Sequence, residues 1–95
     1  MKNAINTDET DYFYRAILTL KDKKEAAEFF EAVCTPLEIN TISQRLAVAK
    51  MLAENEVYLN IVAKTTASTA TISRVKRSMD NSDAYDRIFE RLEDE

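Results

Sequence analysis

Apolar residues recur at helical spacing along most of the chain, and the clearest stripe is Ala26, Phe29, Phe30 and Val33, at i, i+3, i+4 and i+7. Asp22, with Glu25 three residues later, has the form of an N-cap pair just ahead of that stripe. Upstream, the run 11–20 places Tyr14, Ile17 and Leu18 on one face, flanked by Phe13 and Leu20, and predicts an earlier helix. The sharpest start is Thr35-Pro36-Leu37-Glu38. Threonine can cap, proline suits the first helical position because an N–H is not needed there, and glutamate can reach back to close a capping box. This helix runs through Ile42, Leu46, Ala49 and Ala53 and ends near Asn55. A short helix follows at about 57–65, then a turn, then a second helix from about Ser68 to Met79. Asp80-Asn81-Ser82-Asp83 breaks and restarts the chain. A last helix carries Tyr85, Ile88, Phe89 and Leu92 at the same spacing, with Asp83 and Asp86 near the positive end of its dipole. The reading is all-α, with six helices. The absence of glycine agrees, because the favoured hairpin turns need positive φ.

Composition narrows the class. Ninety-five residues, 45% apolar, with no repeat or linker, make one domain over 1–95. A chain this short buries a small share of its surface, so dimerisation is expected. Cys34 is the lone cysteine, reads as a small core hydrophobe, and allows no internal disulfide. Nothing at the start resembles a signal peptide, and no apolar run nears the roughly 20 residues that cross a bilayer. A cytoplasmic protein with no membrane contact is expected. There is no histidine, which removes the commonest general base and metal ligand. The many carboxylates lie beside lysines on helix surfaces. No catalytic constellation, metal site or cofactor motif emerges, so an enzyme is not expected.

Charge is the feature that points to function. The chain carries −4 overall, yet residues 57–79 contain Lys64, Arg74, Lys76 and Arg77 and no acid. The flanking segments, 1–56 and 80–95, are both acidic. An isolated basic stretch is where phosphate contact belongs. Its pattern is that of a helix-turn-helix at about 57–79. Ile61 and Val62 close the first helix onto the core, Ala67 serves the turn, and Ile72 and Val75 hold the second helix from inside. Ser68, Thr69, Ala70, Thr71, Ser73, Arg74, Lys76 and Arg77 then face outward, small near the helix start and basic toward its end. A recognition helix needs that order, because its N-terminal residues approach base edges while flanking cations hold phosphates. A plain core helix pair with a solvated basic face fits the pattern too.

The run Thr65–Arg74, TTASTATISR, resembles the turn and recognition helix of the Trp repressor. Thr35-Pro36 opening a long helix with Gln44-Arg45, and residues 82–93, extend the likeness. Over nearly the whole chain, including Asp11–Ile39, it resembles more closely the YerC/YecD group of Trp-repressor-related proteins. The resemblance implies an intertwined homodimer that binds double-stranded DNA in the major groove as a transcriptional regulator, a repressor. A protein-interaction module on the same fold, without operator binding, is the alternative. The resemblance also places Thr35, Arg45, Arg74 and Ser78 at effector-shell positions, with Arg45 and Arg74 matching the pair that sandwiches tryptophan. Three departures stand out. Thr66 takes the turn position usually held by glycine, so the turn must differ or carry strain. Val75 replaces the glycine after Arg74 and is expected to fill the indole's space, so tryptophan sensing is not expected. One residue is also missing near Asn55-Glu56.

Overall fold

The computed structural model describes residues 5–95. Six helices occupy them: α1 (Thr7–Ile17), α2 (Lys23–Val33), α3 (Pro36–Ala53), α4 (Tyr58–Thr65), α5 (Thr69–Asn81) and α6 (Ala84–Glu93). No strand occurs among the described residues. The chain divides into two compact units, one ending at Pro36 and the other beginning at Leu37.

In the first unit, α1 starts earlier than the apolar run 11–20 indicates. Asn6 caps it by accepting the Glu9 N–H at 3.0 Å, and Asp8 and Glu9 occupy the first turn, where negative charge suits the helix dipole. The helix is finished by Leu18, which stays 84% exposed rather than joining an inner face. Asp22 caps α2 as its spacing indicates, accepting the Glu25 N–H at 2.8 Å. The Glu25 carboxylate accepts in return from the N–H of Lys21, one residue before the cap. Phe13 stacks on Phe29 with centroids 6.2 Å apart, and Phe30 meets Phe29 edge-on at 5.4 Å. These rings are only half-buried, and no residue of α1 or α2 is fully buried. Cys34 is half-buried too, not enclosed in a core as a small hydrophobe should be.

The second unit has a closed core of Val48, Ala49, Ile61, Ala67, Ile72, Val75 and Phe89, with Met51, Leu52, Met79 and Tyr85 packed against it. Helix α3 therefore turns its Val48–Ala49 line inward. Ile42 and Leu46 of the same helix are exposed. Ile88 and Leu92 of α6 are likewise exposed, while Phe89 is buried. The Lys50 ammonium lies 5.4 Å from the Phe89 ring centre and pairs with Glu54 at 3.4 Å. Helix α3 ends in a Schellman motif: the Glu56 N–H reaches the Met51 carbonyl, the Asn55 N–H reaches that of Leu52, and Asn55 sits at φ 63°. Asparagine tolerates that left-handed conformation and replaces the usual glycine.

The turn joining α4 to α5 solves the same problem with less suitable residues. Thr66 stands at φ 56°, ψ 17°, a left-handed conformation that is unfavourable for a β-branched side chain. Hydroxyls hold it there. Thr65 Oγ1 donates to the Ile61 carbonyl at 2.7 Å and accepts the Ala67 N–H at 3.1 Å. The Thr65 carbonyl accepts from Thr66 Oγ1 at 2.6 Å and from the half-buried Gln44 Nε2 of α3 at 2.9 Å. A glycine-free turn is thus pinned by four hydrogen bonds. Replacing Thr66→Gly removes the Cβ clash and is expected to stabilise the fold by about 1 kcal/mol in chemical denaturation. Thr65→Val keeps the shape but loses both hydroxyl bonds, with an expected loss of about 1–3 kcal/mol. A destabilising Thr66→Gly would contradict this account of the turn.

Candidate nucleic-acid interface

Helix α5 begins at a side-chain cap. Ser68 Oγ accepts the Thr71 N–H at 3.1 Å and donates to Thr71 Oγ1 at 3.1 Å. From there the helix has one inner line, Ile72 and Val75, both essentially inaccessible to solvent. The opposite side carries the residues singled out from the sequence. Ser68, Thr69, Ala70, Ser73, Arg74, Lys76 and Arg77 are all exposed, as is Lys64 on α4. Thr71 differs from the others: it is half-buried, and its hydroxyl is engaged with Ser68. Its neighbours Thr69 and Ala70 present the open surface at the start of the helix.

Electrostatically this surface is uncompensated. The ion pairs of the described residues join Arg15 to Asp11, Lys50 to Glu54 and Glu93, and Arg87 to Asp83. None engages Lys64, Arg74, Lys76 or Arg77. Four cations on neighbouring helices are left facing solvent, which suits a polyanion better than any internal partner.

Helix α5 continues past Met79 to Asn81, and the chain breaks only at Ser82, whose Oγ accepts the Ala84 N–H at 3.1 Å. The added turn extends one stripe of the helix. Arg74, Arg77, Ser78, Asn81 and Ser82 line an open recess of about 430 Å³. Of the residues expected around an effector, this recess joins Arg74 and Ser78. Arg45 is half-buried on α3 and does not line it, and Thr35 belongs to the other unit. The Val75 side chain is 1% exposed and fills core volume with Ile72 and Val48.

One expected core residue turns outward. Val62 is 39% exposed, because Ile61 alone takes the inner line of α4 and the next residue lies about 100° around the helix. Leu59 is 82% exposed on the same side. The role of Gln44 in fastening the turn was also not legible, since its partner is a backbone carbonyl distant in sequence. Among the described residues, no cluster of three or more His, Cys, Asp or Glu could hold a metal, and no helix is long and apolar enough to cross a membrane.

Comparison with known proteins agrees with this architecture. Residues 8–93 match the family model for the Trp repressor protein. The chain is 46% identical over 87 residues to the uncharacterized protein YerC of Bacillus subtilis strain 168, covering 90% of this chain and 84% of YerC. A TrpR-like protein from Eubacterium eligens superposes with a TM-score of 0.88 at 57% identity, covering 92% of this chain and 91% of that one. A second structure, from Staphylococcus aureus and named for the Trp repressor, gives 0.86 at 42% identity, covering 97% and 98%. With six helices in the same arrangement and a family match over nearly its whole length, the chain belongs to the Trp repressor family.

Proposed function

We propose that this protein is a sequence-specific DNA-binding transcriptional regulator, a repressor that acts in the cytoplasm as a homodimer and reads the major groove with α5. The observation that carries the reading is the outward face of α5, small and hydroxyl-bearing at its start and cationic at its end, with no acid paired to it. Thr69 and Ala70 allow close approach to base edges, where a hydroxyl can bond a base directly or through water. Lys64, Lys76 and Arg77 hold phosphates and fix the register. The Trp repressor is itself a standard example of this docking geometry, so the geometry is carried over from the family. A family match that spans both compact units favours residues 1–95 acting as one functional domain. The reading assigns no enzymatic role.

Dimerisation rests on uncovered apolar surface. Tyr12, Leu37 and Ile42 are 71%, 74% and 54% exposed, more than a small soluble monomer ordinarily leaves to water. In the family's intertwined arrangement the first helices of each chain pack into its partner. Sedimentation at micromolar concentration is expected to give twice the 10.9 kDa chain mass, and a species of single-chain mass would overturn the dimer.

The binding experiment starts from sites selected out of a random duplex library, which are expected to be pseudo-palindromic with half-sites about 34 Å apart. Thr69→Ala is expected to weaken the selected site by about 1–3 kcal/mol and spare scrambled DNA. Arg77→Ala is expected to weaken both alike and lower the salt slope by about one unit per half-site. Equal losses on both duplexes from both variants would show that α5 does not read sequence. The acidic flanking segments favour a second reading, a protein-interaction module on this fold, and affinity indifferent to salt would support it.

Free L-tryptophan is not the effector in this reading. Val75 occupies the volume next to Arg74 that a glycine would leave empty, and Arg45 does not share the recess with Arg74. Calorimetric titration is expected to detect no binding. Micromolar affinity would show that the steric argument fails.

A further inference from the structure

Helix α4 carries a second apolar stripe on the side away from the core. Leu59, Val62 and Ala63 follow one another at i, i+3 and i+4, and all three are exposed. Such spacing marks one face of a helix, and a stripe of this kind ordinarily packs against something. Within the described residues the core is reached from the opposite line, through Ile61. The outer stripe therefore serves a partner or nothing.

Two observations identify the partner. First, the stripe ends just before the turn into α5: Ala63 lies five residues before Ser68, which caps that helix, and the exposed Thr69 and Ala70 follow it. Second, the only charges in residues 57–79 are cations. The exposed, unpaired cations of the following helix, Arg74, Lys76 and Arg77, complement a polyanion, and the stripe that leads into that helix is placed to meet the same polyanion. The floor of the major groove is polar except for one group, the thymine 5-methyl. We infer that Leu59 and Val62 of α4 extend base reading beyond α5 by packing against thymine methyl groups, so that thymine positions in the site are chosen by apolar contact. The inference rests on the regulator reading above and deepens it.

Exchanging thymine for uracil removes only that methyl group. In a duplex selected by the wild-type protein, thymine is replaced by uracil one position at a time. At one or more positions per half-site the affinity is expected to fall roughly fourfold, the fold-change that corresponds to one buried methyl-sized group. Leu59→Ser with Val62→Ser is expected to bind the thymine and uracil forms equally and to keep the wild-type salt slope, since no charge has changed. Both positions are exposed, so the far-UV circular dichroism and thermal midpoint should match the wild type. Tight wild-type binding indifferent to every thymine-to-uracil exchange would overturn this inference and leave the regulator reading standing. A variant that still discriminates would assign the methyl contact to other residues. A variant that sediments at a different mass would make the stripe an interface between copies of the chain. No salt-dependent DNA binding at all would overturn both readings together.

Discussion

Burial of Ile72 and Val75 against Val48, Ala49 and Ile61 sets the rotation of α5 about its own axis, and the identity of every outward residue follows from it. Fully burying side chains of this size is worth about 1.5–3 kcal/mol each relative to exposure, so rolling the helix by one residue would forfeit most of the core of the second unit. The same setting decides which polar groups reach solvent. Ser73 and Arg74 lie between the two buried positions in sequence, yet both face out, since three residues are close to a full turn. Apolar packing on one side of the helix is thus the cause of the polar surface on the other.

Rotation alone does not aim the helix; the turn before it does. Thr65 and Thr66 take the place of a glycine by surrounding a left-handed residue with hydrogen bonds, and Gln44 ties the Thr65 carbonyl to α3. A strained residue persists only where its surroundings over-determine it. The price is local strain at Thr66, and the return is a stiffer turn, since threonine explores fewer backbone states than glycine. In the proposed reading, a helix that meets base edges benefits from such a turn. Its cap adds to this, because the Ser68–Thr71 pair fixes the first turn, where Thr69 and Ala70 sit.

The helices were legible in the sequence because their punctuation is strong. Asp22 before Glu25, Pro36 after Thr35, and Asn55 each mark a boundary by a local mechanism, and the structure keeps all three. The start of α1 was missed because Asn6 lies before a polar stretch with no apolar stripe to announce it. Which face of a helix is buried was harder to read. Ile42, Leu46 and Val62 look like core residues by type, and only the position of neighbouring helices shows that Val48, Ala49 and Ile61 take that role. Periodicity gives a helix its faces but cannot choose between two apolar ones. The outward set on α5 was legible for the opposite reason, since that helix has a single apolar line. Residues gathered from distant parts of the chain resisted the same treatment. Gln44 reaches Thr65 only in three dimensions, and the recess beside Arg74 draws in Asn81 and Ser82, which read as a chain break.

The charge layout bears on how such a surface can be selective. Acidic segments on both sides of the basic stretch repel phosphates at a distance, and within a Debye length of about 8 Å at physiological salt the unpaired cations of α4 and α5 attract them. Weak general attraction keeps binding to arbitrary DNA low, which raises the ratio of specific to non-specific affinity that a regulator depends on. It also shifts the burden of binding from charge onto contacts that need the right base. In the proposed reading those contacts come from the short hydroxyl and methyl groups at the start of α5 and from the apolar stripe of α4, with Arg74, Lys76 and Arg77 farther along α5. In the proposed reading, a protein that attracts DNA sparingly must recognise it closely, a demand that the exposed Leu59 and Val62 would meet at a cost in solubility.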